Sequence, residues 1–393
     1  MKSVKTKRQS FKVADLFSGA GGLTLGFQYK IRNNSFVPNE DFDVIFANEY
    51  DEMAAEAFKC NFPDIEMIHE DIVDVTSEML NSKGIDVSGI DLVIGGPPCQ
   101  SYSTIGGRNY DDRAKMYEEY IRMLGILKPK MFIFENVTGL LSMKNDEGNP
   151  VLDDIKRMFV AIDAGLSYKI EIETLNARDY GVPQSRERVF IVGIKEGLSI
   201  DAFSFPAAKI TGDKYLTIED AISDLPKLAM GEEKTVYQVA PKTDYQRLMR
   251  GNNEILREHK SGTHGDKMQM VIKNVKPGEG RNDFNRLIDS GKIDRKYYLT
   301  SGYANTYGRL WWDRPSTTLT NSFGTPSTLR CIHPIEDRAL TTREGARLQS
   351  FPDWVEFYGN KYEKNSQVGN AVPPLLAIAI AEEAAKCLRK LEA

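Results

Sequence analysis

Residues 12–27, KVADLFSGAGGLTLGF, decide the fold. The apolar run 12–17 reads as a buried strand. The glycine-rich turn SGAGG follows, and LTLGFQYK then has the spacing of a helix. A glycine turn between the first strand and the first helix lets a ligand approach the backbone and meet the helix N-terminus. The strict G-x-G-x-x-G dinucleotide fingerprint fails here, because Gly19-Ala20-Gly21-Gly22-Leu23 is followed by Thr24.

Outward from this stretch the rhythm repeats. FDVIFANEY (42–50) reads as a strand and DEMAAEAFKCNF (51–62) as a helix. IEMIH (65–69) is a short strand, and IDLVIGG (90–96) is another that runs into the loop PPCQSYSTIGG. YEEYIRMLGIL (117–127) is helical, and PKMFIFENV (129–137) is a strand ending on a polar turn. Residues 151–168 read as a helix, with 168–177 and 188–195 as a closing antiparallel pair. Alternating apolar strands and amphipathic helices predict an α/β protein with a mainly parallel sheet covered on both faces. Near residue 196 the rhythm stops, and residues 200–335 read as irregular with short strand-like runs such as STTLT (316–320). TREGARLQS (342–350) restores a helix signal, with Thr342 as its expected cap. The apolar helix PPLLAIAIAEEAAKCLRK (373–390) is expected to pack back on the first domain. The expected organisation is a larger domain from 1–195 and 365–393, a smaller inserted domain at 196–337, and a connecting region at 338–364.

Bulk properties narrow the function. The 393 residues are 41% hydrophobic and 27% charged, ordinary for a globular protein. No apolar run approaches the ~20 residues that cross a bilayer. The broken apolar stretch after the basic N-terminus does not read as a signal peptide, so no membrane association and a cytoplasmic location are expected. Cys60, Cys99, Cys331 and Cys387 lie far apart without a CxxC pair, which argues against a zinc ribbon, a disulfide framework or any metal site. Net charge is −5, yet residues 246–314 hold fourteen Lys and Arg against eight Asp and Glu. A basic stretch in an acidic chain suits contact with nucleic acid, although such runs are more often a solvated face.

Four short stretches carry candidate chemistry. Glu49 closes the second strand, where a ribose hydroxyl pair needs a carboxylate, and Asp71 in HEDI suits an adenine amino group. Cys99 in GGPPCQSYS follows the C-terminal edge of a parallel strand, where ligands bind in such sheets. A thiol there is a nucleophile only if its surroundings lower a pKa of ~8.5. Glu135 in FENV ends a neighbouring strand, and a carboxyl in a closed apolar pocket becomes a proton donor. In QSRERVF, Arg186 and Arg188 share one side of a strand, opposite Glu187, and suit a carbonyl oxygen, a phosphate or the glutamate.

The order and wording of these stretches resemble the cytosine-C5 DNA methyltransferase family of prokaryotic restriction-modification type. DLFSGAGG is similar to its cofactor loop, GGPPCQ to its nucleophile motif, ENV to its acid and QSRER to its arginine motif. RALTTREGARLQSFPD (338–353) and QVGNAVPP (367–374) are similar to its late helix and final cofactor-side motifs. The resemblance spans roughly 12–195 and 310–385. It implies a Rossmann-like S-adenosylmethionine-dependent methyltransferase fold with a mixed sheet and a target-recognition domain inserted at 196–337. It implies methylation of C5 of a flipped-out cytosine within a short sequence of double-stranded DNA, through a Cys99 adduct at C6. Glu135 would act near N3 and Arg188 on O2, with Arg186 nearby.

For the cofactor, the resemblance points to Phe17, Ser18, Gly19, Gly21, Gly22 and Leu23 of the loop, with Glu49 and Tyr50 at the ribose. Asp71 and Ile72 would face adenine, with Pro97, Asn370 and Ala371 completing the pocket. HEDI departs from a Gly-Asp pattern frequent in the family, which leaves Asp71 and Asp74 as competing candidates. DNA contacts would fall on Gln100, Ser103 and Arg113 of a loop over the base, hinged at Gly106 and Gly107, and on Arg314, Thr318 and Thr320. Trp311 and Trp312 are expected in the core. A monomer is the family's habit, and the sequence leaves open whether a cognate restriction endonuclease acts beside it.

Three rivals were weighed. An RNA-directed relative would carry a Cys-Phe-Thr tripeptide, absent here. A nicotinamide-dependent oxidoreductase leaves PPCQ, ENV and QSRER unexplained. A catalytically silent DNA-binding homologue fits poorly with Cys99, Glu135 and Arg188 all in place.

Overall fold

A computed structural model describes residues 9–98, 116–145, 147–163, 165–198 and 203–392. Strands β1 (Phe11–Leu16), β4 (Phe42–Asn48), β5 (Glu66–Ile68), β6 (Leu92–Gly95), β7 (Met131–Val137), β8 (Tyr168–Asn176) and β10 (Glu187–Lys195) form one sheet. The hairpin β2 (Tyr29–Arg32) and β3 (Ser35–Pro38) and the short β9 (Gln184–Ser185) lie outside it. Its order is β5-β4-β1-β6-β7-β10-β8, parallel from β5 to β7 and antiparallel through β10 and β8. The chain runs outward from β1 to β4 and β5 on one side and to β6 and β7 on the other. The carboxyl ends of β1 and β6 are therefore the switch point at which such sheets bind ligands.

Strand alternation sends side chains to two cores. Val13, Leu92, Ile94 and Ile133 face one, beneath α1 (Gly22–Gln28) and α2 (Glu52–Asn61). Val93, Phe132 and Phe134 face the other, beneath α3 (Ser77–Ser82), α4 (Met116–Leu127) and α5 (Val151–Val160). Each such side chain contributes about 1.5–3 kcal/mol by leaving water. α5 ends at Val160, short of the expected 168, because its apolar face is spent by Phe159 and the chain turns into β8. α1 likewise stops at Gln28, and Tyr29 enters the hairpin instead of extending the helix.

The insert is more helical than its composition predicts. It contains α6 (Ile218–Ile222), α7 (Asp244–Arg250), α8 (Asp266–Asn274) and α9 (Arg281–Asp289), with the short strands β11 (Gly308–Arg309), β12 (Ser316–Thr317) and β13 (Arg330–Ile332). Val271, Val275, Phe284, Ile288, Leu299 and Tyr307 make a separate small core. Ile218, Leu248, Leu256, Leu310 and Leu319 instead join the main core. Both tryptophans are only half-buried and neither is the core residue expected: Trp312 packs against the edge of that core, and Trp311 lies beneath the Arg314 and Arg330 guanidinium groups.

The last elements are α10 (Thr342–Leu348), α11 (Lys361–Asn370) and α12 (Pro374–Leu391). The cap of α10 is Thr341, not Thr342. Thr341 accepts from the Glu344 N–H, and Glu344 returns the bond in a capping box. α12 packs on α1 so closely that a Cβ on Gly26 would lie 2.4 Å from Ala377 Cβ. Among the described residues no helix is long and apolar enough to cross a membrane.

Candidate active site

At the end of β1 the chain turns sharply. Phe17 has φ 56° and Gly19 φ 55°, both left-handed, which a side chain such as Phe17's adopts only under constraint. The constraint is visible: Ser18 N–H donates to Asn48 O at 3.0 Å and Gly19 N–H to Glu49 Oε2 at 2.7 Å. Glu49 Oε1 also accepts from the Tyr50 and Asp51 N–H groups at 3.0 and 2.8 Å. Burial raises the Glu49 pKa, and these backbone donors oppose it.

Beneath the turn, burial pushes Asp15 up to about 7, although Thr24 Oγ1 donates to its Oδ2 at 2.5 Å. Among the described residues Asp15 Oδ1 and Ser18 Oγ are buried without partners, and none beyond the chain neighbours of Gly19 puts an atom within 4 Å of where its Cβ would stand. Orphaned polar atoms beneath an open glycine cradle suit a polar ligand.

The other predicted cofactor residues gather round this cradle. Asn48 Nδ2 donates to Ile68 O and Glu70 O, both at 2.9 Å, and so fixes the segment leading to Asp71. Asp71 caps the turn Ile72–Asp74 through Val73 N–H, and Arg122 holds that turn by the carbonyls of Ile72 and Val75. Ile72 is buried, whereas Tyr50 is 72% exposed, so its ring stands free for a ligand. Leu23 is buried in the α1 core. Gly21, φ 87°, packs on Phe62, and a Cβ on Gly22 would lie 2.5 Å from Val372 O. That contact brings Ala371 to the cradle from the far end of the chain. Asn370 is exposed, and its Nδ2 donates to Ser366 Oγ at 3.1 Å.

Across the switch point, β6 and β7 run in register, Gly95 opposite Phe134, so Gly96 and Pro97 come level with Glu135 and Asn136. Asn136 Nδ2 donates to Pro97 O at 3.3 Å. A Cβ on Gly96 would lie 2.7 Å from Glu135 Oε2, so only glycine leaves that carboxyl room. Arg188 Nε sits 2.9 Å from Glu135 Oε1, both side chains nearly buried. Burial raises the Glu135 pKa and outweighs the opposing charges of Arg188 and Arg186.

Arg186 has a different task from Arg188. Its guanidinium donates to Leu319 O, Gly369 O and Ala371 O at 2.8, 2.8 and 3.0 Å. Gln184 adds Nε2 bonds to Gln349 Oε1 and Leu348 O, and Gln349 in turn holds Val368 O and Ala371 O. β12 pairs with β9 here, and Thr318 Oγ1 donates to Ser185 O at 2.9 Å. Thr318 is thus engaged with protein, and Thr320 lies against Gly369. Arg314 is exposed beside Asp313 at 3.6 Å. Cys99, Gln100, Ser103, Gly106, Gly107 and Arg113 lie outside the described residues.

Sequence reasoning missed several groups that build this region. Asp15, Gly96, Asn136, Gln184 and Gln349 all sit inside motifs that it quoted, but nothing in spacing separates them from neighbours. It also missed a buried charge cluster behind α10. Arg347 pairs with Asp224 and Asp353 at 2.8 and 2.7 Å, and Arg338 with Glu344 at 2.6 Å, all essentially inaccessible. Among the described residues no group of acidic, histidine and cysteine side chains could hold a metal ion.

Comparison with known proteins adds a lineage to this geometry. A profile described as C-5 cytosine-specific DNA methylase matches residues 11–386. The Type II methyltransferase M.DdeI of Desulfomicrobium norvegicum is 35% identical, over 94% of this chain and 87% of that protein. M.AgeI of Thalassovita gelatinovora, also a Type II methyltransferase, is 34% identical over 94% of this chain and 98% of its own. A solved structure described as a DNA modification methyltransferase encoded within an E. coli prophage superposes with a TM-score of 0.71. It is 27% identical and covers 98% of this chain and 99% of its own.

Proposed function

The chain belongs to the C-5 cytosine-specific DNA methylases, and from that premise we propose that it methylates C5 of a cytosine flipped from duplex DNA by way of a Cys99 adduct. The observation that carries the residue assignment is the buried Glu135 carboxyl. It is held by Arg188 at 2.9 Å beside Gly96 and Pro97, which precede Cys99 in the chain.

Cytosine C5 is a weak nucleophile. Addition of the Cys99 thiolate to C6 makes C5 electron-rich and builds negative charge on the ring. Glu135, whose pKa is raised by burial, gives a proton to N3 and offsets that charge. Arg188 fixes Glu135 and presents its remaining N–H groups to the base O2. Arg186 is a positioning residue that ties β9 to the segments at 319 and 369–371. Once C5 carries the methyl group, loss of its proton, expulsion of the thiolate and return of the N3 proton to Glu135 restore the ring and the acid.

Members of this family use S-adenosylmethionine, which supplies, when bound, a methyl group made electrophilic by a sulfonium. The cradle fits that cofactor, since orphaned Asp15 Oδ1 and Ser18 Oγ lie below an open turn and carboxylates stand at two strand ends. Phe17, Ser18, Gly19, Gly21, Gly22, Leu23, Pro97, Asn370 and Ala371 would wall it, Glu49 and Tyr50 would hold the ribose, and Asp71 and Ile72 the adenine. Target recognition belongs to the insert 196–337, with the basic excess of its stretch 246–314 and its separate small core, and 338–364 joins it to the catalytic domain. Gln100, Ser103, Arg113, Arg314 and Thr318 would face DNA. Work as a cytoplasmic monomer, beside a separately acting endonuclease, completes the reading.

The test is incubation with unmethylated genomic DNA and methyl-labelled S-adenosylmethionine, beside Cys99→Ser, followed by mapping of 5-methylcytosine. Label at one short sequence, lost in the variant, is expected. Label on tRNA alone, or on neither nucleic acid, defeats the proposal.

A further inference from the structure

A cavity of about 740 Å³ lies between residues 260–265, residues 324–326 and the first turn of α11, outside everything assigned so far. Its polar lining includes Lys260, Thr263, His264, Thr325 and Lys361, and among the described residues no carboxylate lines its interior. Two of these groups are unmatched. His264 Nε2 is buried without a partner, and Lys361 Nζ makes no hydrogen bond or ion pair among the described residues. Burial lowers the pKa of both, the lysine's charge lowers the histidine further, and Glu344 and Cys331 pull the lysine back up. Lys260, by contrast, meets Glu233 at the rim. A buried donor without an acceptor, as His264 Nε2 is among the described residues, is unfavourable unless a ligand supplies one, and the unpaired Lys361 ammonium adds a positive charge beside it.

The backbone is shaped to admit such a ligand. A Cβ on Gly262 would stand 2.8 Å from Lys361 Nζ, and one on Gly324 2.6 Å from Asn365 Nδ2. Glycines there let both loops close on the lysine. The cavity is also tied to the reaction centre. From Thr317, paired with Ser185 two residues before Glu187 and β10, eight residues lead to Thr325. Eight residues span at most roughly 28 Å, which is about 8 base pairs along a duplex.

We propose that this cavity binds one backbone phosphate of the DNA beside the target base, with Lys361 Nζ as the cationic donor and His264 Nε2–H as a second donor. The inference rests on DNA being the substrate. It adds an anchoring point that sets register on the duplex without reading bases.

The test is duplex affinity of the full chain over a range of salt, for wild type, Lys361→Gln, Lys361→Arg and His264→Gln. Loss of one phosphate contact should flatten the slope of log affinity against log salt by about 0.9 in Lys361→Gln. Lys361→Arg should restore it, and His264→Gln should weaken binding several-fold at an unchanged slope. The methylated sequence should stay the same in all four. Duplexes with single neutral methylphosphonate linkages should reveal one position where wild type loses affinity and Lys361→Gln does not. An unchanged slope, or identical linkage profiles, overturns the inference. So does protection by inorganic phosphate that needs Lys361 while the DNA slope does not. Failure of wild type to methylate any DNA would instead defeat the reading on which the inference rests.

Discussion

Glu135 must carry a proton in order to give one up, and burial, working against two arginines, shifts its pKa in that direction. Glu135→Gln keeps the shape and removes the proton. Its single-turnover methylation rate should fall about 100- to 10,000-fold, with cofactor and duplex affinity retained. In wild type the Glu135-dependent limb should fall as pH rises through the raised pKa, because the acid form is the active one. Asp15 carries a related prediction for stability. Its folded pKa of about 7 lies above the ordinary 3.8, so the folded state holds the proton more tightly. That stabilisation is complete below about pH 4 and lost as pH rises through 7. Urea midpoints of wild type should therefore decline from pH 5 to 8, and Asp15→Asn should flatten that decline. The candidates Glu135 and Glu49 were legible because a position at the carboxyl end of a parallel strand already says where ligands go, whereas Arg188, near the start of the antiparallel β10, was marked only by the wording of QSRER. The division of labour between Arg186 and Arg188 was not. Spacing of two residues gives a shared side, but the acceptors of Arg186 lie at 319, 369 and 371, which only the folded chain brings near.

At the scale of elements, α10 is held by charges where a helix of its length ordinarily relies on apolar contacts. Arg347 lies between Asp224 and Asp353, with Tyr237 donating to Asp353 at 2.6 Å. Removing one member of a buried set leaves carboxylates uncompensated and costs about 3–5 kcal/mol. Arg347→Met should lower the denaturation midpoint accordingly, whereas Thr341→Ala, which deletes only a cap, should cost about 0.5–2 kcal/mol. The strands of the sheet were readable from their apolar runs. Helices of the insert were hidden because α6 and α7 are short and carry little periodicity. Their start signals were nevertheless present as T-x-x-D at 217–220 and T-x-x-Q at 243–246, both of which form capping boxes. The shortening of α5 and the shifted cap of α10 are boundary effects, set by where tertiary contacts end.

For the molecule as a whole, residues 196–337 read as one insert, yet its apolar side chains divide between two cores. Composition could not reveal that division, because Leu256 and Leu299 look alike in sequence and differ only in what they meet. The smaller core buries few side chains, so its cooperative opening should be cheaper than that of the sheet. Amide exchange should therefore be faster throughout 271–307 than in β1, β6 and β7, and duplex binding should slow it there selectively.

The contact of Gly22 with Val372 and of Gly26 with Ala377 has a bearing on synthesis. The cradle leaves a ribosome well before its closing partner. At about 5–20 residues per second, roughly 20–70 s separate them. During that interval the nascent chain has its glycine face uncovered, and a product that stops short of residue 371 never closes it. Translation through residue 372 is thus a condition for a finished cradle. A circular permutant that joins the termini and opens at an exposed loop elsewhere should bring the two halves together early and shorten the wait.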